Sequence, residues 1–289
     1  MTKSKSSTKN AEKIPKTILL SARFLELIFP RLAVLFAAKL FTTPVKHKIP
    51  KRELEMDQNS KQTPLNIPEI NKEIIVYQWG NHSKKVLLVH GWSGRGTQLF
   101  KIAEALVKNG YSVVSFDAPS HGKSAGNSSI MLEFIASVKE IEKKLGSFEA
   151  AIGHSLGGMA LFNAAKDGLK INHLVTIGSG DVVKDIIDEF INKLQLKKKT
   201  GHLLSQYFEK KYDQPMNSLS AYLSAKELDI PVLVIHDEND DDVPVSAAIH
   251  IHKHLKNGSL MITKKLGHRK ILGDELVIKK TIDFIQNKR

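Results

Sequence analysis

The chain has 289 residues, enough for one large α/β domain or two small ones, with 42% apolar and 25% charged residues. That is ordinary globular usage and sets aside collagen-like, largely disordered and multi-pass membrane proteins, while the absence of cysteine excludes disulfide scaffolds, thiolate zinc sites, iron–sulfur clusters and cysteine nucleophiles together. The formal charge of +13 is mostly local: residues 1–52 carry 12 Lys and Arg against Glu12 and Glu26, whereas the other 237 residues carry 31 against 28. A nearly balanced body gives little support to a basic nucleic-acid groove, so the excess belongs to an N-terminal arm.

Residues 1–16 are rich in Lys and Ser, almost without apolar content, and read as a solvated lead. From 18 to 41 the chain turns apolar, with Leu20, Phe24, Leu27 and Phe29 before Pro30 and Leu32, Leu35 and Leu40 after it, which predicts two short helices broken near Pro30. Arg23, Glu26 and Arg31 would each cost about 2.5–3.5 kcal/mol near a bilayer centre, which disfavours a clean span. No small-residue cleavage site follows a compact apolar run, as it would in a secretory signal. Three readings are ranked, a helical pair docked on the body, then an interfacial membrane helix, then a span, and the scatter of Arg23, Glu26, Arg31 and Lys39 over more than one helical face favours docking. Residues 46–68, polar and carrying Pro50, Pro64 and Pro68, read as a linker.

From about residue 73, short apolar runs of strand length recur at 74–77, 86–89, 113–116, 150–152, 174–177, 232–235 and 260–262. Helical spacing fills the intervals 98–108, 130–144, 157–165, 246–255 and 275–285. This alternation predicts an α/β fold, a mostly parallel sheet with helices on both faces and any site at the carboxyl ends of the strands. The stretch between 177 and 232 breaks the rhythm with helical spacings alone and predicts a cap insertion at about 180–228. The expected division is an N-terminal extension over 1–68 and a domain over 69–289.

The run Gly153-His154-Ser155-Leu156-Gly157-Gly158 stands between a predicted strand and a predicted helix. A serine on so sharp a turn needs glycine neighbours, because a Cβ there collides with adjacent backbone, and the turn lifts the hydroxyl clear of the sheet. On these residues the chain over 73–289 resembles the α/β-hydrolase fold superfamily, of the serine esterase and lipase kind. Further motifs carry the likeness in order: His90-Gly91-Trp92-Ser93-Gly94, the run from Asp117 to Ser124, the run from His236 to Pro244, and Leu266-Gly267-His268-Arg269. The resemblance implies Ser155 as nucleophile, Asp240 as the acid three residues before Val243-Pro244, and His268 as general base. It also assigns the backbone N–H groups of Trp92 and Leu156 to the oxyanion hole. Asp117 is structural in such a turn.

The implied activity is hydrolysis of a carboxylic ester, with thioester or amide left open, through an acyl-enzyme on Ser155. It requires no cofactor and no metal. His250 and His254 share a helix face, but the glutamate and third ligand of a zinc site are missing, so 250–254 read as a solvated face. His90, His121, His154 and His236 read as packing or hydrogen-bonding residues, and Lys197 to Lys199 as an exposed cap loop. An acyltransferase or cofactor-free lyase on the same fold stays open, as does a non-enzymatic scaffold, although a scaffold has no need of all three of Ser155, Asp240 and His268. The expected partner is a small-molecule acyl ester, not nucleic acid; the expected location is cytoplasmic, with peripheral membrane contact through the extension.

Overall fold

The strands line up in one sheet in the order β1-β2-β4-β3-β5-β6-β7-β8. They are β1 Lys61–Ile67, β2 Lys72–Trp79, β3 Lys85–Val89, β4 Ser112–Asp117, β5 Phe148–His154, β6 Ile171–Ile177, β7 Val232–Asp237 and β8 Gly258–Thr263. β1 pairs antiparallel with β2 and β2 with β4; the remaining pairings are parallel. The helices are α1 Lys16–Ile28, α2 Pro30–Thr42, α3 Leu54–Asn59, α4 Phe100–Lys108, α5 Met131–Leu145, α6 Leu156–Lys166, α7 Val183–Lys193, α8 Lys198–Tyr212, α9 Ala221–Ala225, α10 Ser246–His254, α11 Gly267–Lys270 and α12 Glu275–Ile285. This computed structural model describes residues 14–287, so the lead expected over 1–16 lies almost wholly outside the described residues.

The central strands are apolar without alternation because both faces are covered. Successive side chains still point to opposite faces. Leu87, Val89, Val114 and Phe116 enter the core shared with α5 to α9, while Val86, Leu88, Val113 and Ile152 enter the one under α4 and α12. α5 buries Met131, Phe134, Ile135, Val138 and Ile141, the stripe expected of a helix lying on a sheet. α12 starts where Asp274 accepts hydrogen bonds from the N–H groups of Leu276 and Val277, an N-cap in the usual manner.

Two expectations need correction. The linker reading of 46–68 missed β1 and α3, and with them the buried Glu53, whose Oε2 meets Arg95 Nη1 at 3.0 Å and Thr97 Oγ1 at 2.8 Å. β1 is an edge strand with mostly exposed or half-buried side chains, the place where Pro64 is tolerated in a sheet. The lysine run is exposed, as expected, but opens α8 rather than lying in a loop.

α1 and α2 do break at Pro30, and they dock on the body through a seam of small side chains, Ala22, Ala33, Val34, Ala37 and Ala38. Glu26 Oε1 explains why an acid sits on this apolar pair. It accepts from the N–H of Lys197 at 2.8 Å and from Thr200 Oγ1 at 2.5 Å, and so satisfies the start of α8. Beyond α2 the chain is stitched to the loop after β3, with Val45 N–H donating to Ser93 Oγ at 3.0 Å.

Candidate active site

The strand–turn–helix at the carboxyl end of β5 holds Ser155 at φ +52 and ψ −121, a conformation strained for any residue with a side chain. Its neighbours must be glycine: a Cβ on Gly153 would stand 2.6 Å from the Gly157 carbonyl, and one on Gly157 would stand 2.4 Å from Val89 O. Bulk at either position would force β3, β5 and α6 apart. The turn leaves Ser155 half-buried at a cavity of about 700 Å³ lined also by Trp92, Leu156, Asp242, Val243 and Pro244. A second cleft of about 350 Å³, at the amino ends of β3, β5 and β6, holds none of the residues singled out above.

β7 and β8 deliver the other two residues. Asp240 follows β7 with its side chain 1% exposed, and its Oδ2 stands 2.6 Å from His268 Nδ1. Its other oxygen accepts from the backbone N–H of Asp242 and Val243, both at 2.8 Å. Burial works against ionisation here, yet the His268 hydrogen bond and charge and these two amides outweigh it and hold the carboxyl below its ordinary value. With Nδ1–H facing a carboxylate, the His268 tautomer is set so that Nε2 is left to accept a proton. Asp240, Asp242 and His268 place ligand atoms within 4.8 Å of one another, but two of the three are spent on this dyad.

Ser155 Oγ makes no hydrogen bond to His268 among the described residues. The link between the two is the residue preceding the serine: His154 Nε2 donates to His268 O at 2.9 Å, and their rings lie 4.6 Å apart. Neither the Trp92 N–H nor the Leu156 N–H finds an acceptor among the described residues. For Leu156 this follows from its place at the first turn of α6, where a helix leaves its amides unpaired. Two residues with free amides thus line the same cavity as the serine.

The comparisons with known proteins join these observations. A family model described as alpha/beta hydrolase fold matches residues 84–212, and a second, described as TAP-like protein, matches 207–288. The chain belongs to the α/β-hydrolase fold superfamily. Solved structures with this fold include an esterase from Pyrococcus furiosus, 17% identical with a TM-score of 0.66, covering 85% of this chain and 97% of its own. An esterase from Exiguobacterium antarcticum is 16% identical with a TM-score of 0.62, covering 78% and 100%. A membrane phospholipase A, described as a bacterial virulence factor, is 17% identical with a TM-score of 0.62, covering 94% and 97%. No curated protein matches by sequence. At such identities the solved structures speak for the fold alone.

In this α/β-hydrolase the bland readings of four histidines fit what surrounds them. His90 Nδ1 donates to Gly91 O at 2.7 Å while Nε2 accepts from Ala118 N–H at 3.0 Å; His121 Nδ1 meets Pro119 O and His236 Nε2 meets Val243 O, each at 2.9 Å. Burial keeps all four neutral: it takes His90 and His154 well below the ordinary value, His121 to about 4, and His236 lower by a smaller margin. An unfolded chain binds protons at these positions below about pH 6.5 and the folded one does not, so this stability is complete above that pH and is lost as pH falls. Each histidine is expected to remove about 1.4 kcal/mol per pH unit on that slope. Urea unfolding at pH 7.5, 6 and 5 checks it; a midpoint that stays constant would mean that the folded state binds these protons too.

The solvated-face reading is incomplete for His250, whose side chain is 42% exposed but not without partners. Its Nδ1 meets the buried Asp181 Oδ2 at 2.5 Å, its ring packs on Tyr222 and His254, and it lines the same cavity as Ser155. Leu40 and Phe41 of α2 line it as well, a contribution from the N-terminal arm that spacing along the sequence could not reveal. Asp117 is structural as expected, accepting from Gly96 N–H and Lys123 N–H at 2.7 Å and from Tyr77 Oη at 2.9 Å.

Proposed function

We propose that the protein hydrolyses carboxylic esters through an acyl-enzyme on Ser155. The observation that carries this reading is the Asp240–His268 hydrogen bond of 2.6 Å at the carboxyl ends of β7 and β8, next to a strained serine and two unpaired amides. In the first step His268 Nε2 takes the Ser155 proton as Oγ adds to the ester carbonyl, and the Trp92 and Leu156 N–H groups receive the charge on the carbonyl oxygen. The same proton then leaves with the alcohol. Water, deprotonated in turn by His268, adds to the acyl-enzyme and frees the acid and the serine. The Asp240 carboxylate stabilises the imidazolium in both halves, and the described mechanism uses only groups of this chain.

The cavity sets the substrate class. Leu40, Met131, Met159, Ile186, Phe190 and Phe208 give it an apolar body that suits an acyl chain. On the same footing residues 180–228 are a cap over the site, and the N-terminal extension makes peripheral contact with a membrane. The match to the membrane phospholipase A covers a share of this chain too large to omit both α1 and α2.

A fluorophosphonate should add once, at Ser155, and p-nitrophenyl esters graded from acetyl to palmitoyl should show kcat/KM rising beyond the shortest chains. A folded protein that takes no label sinks the covalent mechanism, and a maximum at acetyl contradicts the acyl-chain role of the cavity. Product analysis with competing alcohols separates hydrolysis from acyl transfer.

A further inference from the structure

The outer face of α1 and α2 is apolar where a docked helix pair is ordinarily polar. Of twelve large apolar side chains exposed among the described residues, seven fall between Leu20 and Leu35, a patch rather than scattered single residues. Leu20, Phe24 and Leu27, exposed by 65%, 59% and 79%, share one face of α1 at i, i+4 and i+7. Leu32 and Leu35 extend it along α2, followed at the next turn by Lys39. The inner seam is already closed against the body by small side chains, so this second face has no packing role in the fold.

Its charge states what covers it. Lys16, Arg23, Arg31 and Lys39 are exposed and in no ion pair among the described residues, and the acid of the pair, Glu26, is taken up by the start of α8. A second copy seated on this face would set like charges against each other. An anionic lipid surface instead gains about 1 kcal/mol for each such cation, and the long side chains can snorkel to headgroups while the leucines enter the acyl region. Each helix has 13 residues, about 20 Å against a hydrocarbon core of about 30 Å, and no helix among the described residues is long and apolar enough to cross a membrane. On such a surface a pair of this length would lie along the interface rather than cross it.

The same helix reaches the cavity. Five residues beyond the exposed Leu35, about 7.5 Å along α2, Leu40 and then Phe41 line it, and the Phe41 ring packs on Phe190 and Phe208 of the cap at 5.0 and 5.6 Å. We propose that the outer face of α1 and α2 seats the protein on an anionic bilayer and that the cavity fills from that bilayer with an acyl-lipid ester. The substrate half of this proposal rests on the ester-hydrolase reading above, and the seating half does not.

The test uses the full chain, vesicles of zwitterionic lipid with and without phosphatidylglycerol, and the variant L20S/F24S/L27S, whose three positions lie outside the cavity and are exposed. The wild type should sediment with the anionic vesicles about tenfold more tightly than with the neutral ones at low salt, and the difference should shrink at high salt. The variant should lose at least about tenfold in vesicle binding and in hydrolysis of a phospholipid ester in those vesicles. Its hydrolysis of soluble p-nitrophenyl butyrate should stay within about twofold. A wild type that stays in the supernatant, or a variant that hydrolyses the vesicle ester as the wild type does, overturns the proposal. So does a wild-type dimer that the variant turns into monomers, because the face would then belong to a second copy. Wild type that binds the vesicles yet cleaves neither ester brings down the ester-hydrolase reading while the seating stands.

Discussion

Ser155→Ala should lower kcat by about four to six orders of magnitude and leave a folded, substrate-binding protein. The size follows from the proposed role: with Oγ gone no acyl-enzyme could form, and what would remain is the polarising effect of the Trp92 and Leu156 amides on a carbonyl attacked directly by water. Little stability should go with it, since Oγ makes no hydrogen bond among the described residues and alanine must adopt the same φ of +52. The elbow is held by its glycines, by the Ser155 N–H bond to Ile177 O at 3.0 Å and by the contact of α6 with β3, none of which involves the hydroxyl. Steady-state kinetics on a p-nitrophenyl ester, with thermal unfolding as the control, checks both halves. A variant of unchanged kcat would show that the hydroxyl at the elbow is a bystander.

What the chain disclosed in sequence and what it hid divide along one physical line. The central strands were legible because burial on both faces makes them unbroken apolar runs. The elbow was legible because its constraint is local: Gly153, Ser155 and Gly157 are fixed by atoms a few residues away or on the adjoining strand. β1 was hidden because an edge strand with exposed side chains needs neither apolarity nor alternation, and Pro64 argued against it. Glu53, Asp181 and His250 were hidden for a different reason. Each has its partner 42 or more positions away on an unrelated element, and a polar side chain gives no sequence sign of which distant residue it will meet.

α1 and α2 show both halves of that division at once. Their break at Pro30 was read from one residue, and the scatter of charge pointed to docking. Charge alone could not show that Glu26 serves the start of α8 while the cations face outward. Docking and membrane contact looked like rivals for one apolar face, whereas the helices have two: a narrow seam of Ala and Val against the body and a broad stripe of Leu and Phe outside.

Among the acids after β7, Asp240→Asn should cost about four orders of magnitude in kcat, because an amide at that place can present its NH2 to Nδ1 and turn the imidazole to the wrong tautomer. Asp241→Asn should stay within about twofold, as the side chain is exposed and in no ion pair among the described residues. Asp237 needs separate treatment. It is fully buried, its oxygens accept from Thr263 Oγ1 at 2.7 Å and from the N–H groups of Asn239, Leu266 and Gly267 at 3.0 to 3.1 Å, and so it ties the His268 loop to β7. Burial opposes its ionisation, but these donors together hold its carboxyl below the ordinary value. Asp237→Asn should therefore appear first as a loss of about 1–3 kcal/mol in stability, from donors left facing an amide nitrogen. Its effect on kcat should be much smaller than that of Asp240→Asn. Measuring kcat and urea unfolding on all three variants separates the roles: Asp240→Asn moves the rate at nearly constant stability, and Asp237→Asn moves the stability. If the rate instead collapsed in Asp241→Asn and survived in Asp240→Asn, the 2.6 Å contact with His268 would have no part in the chemistry.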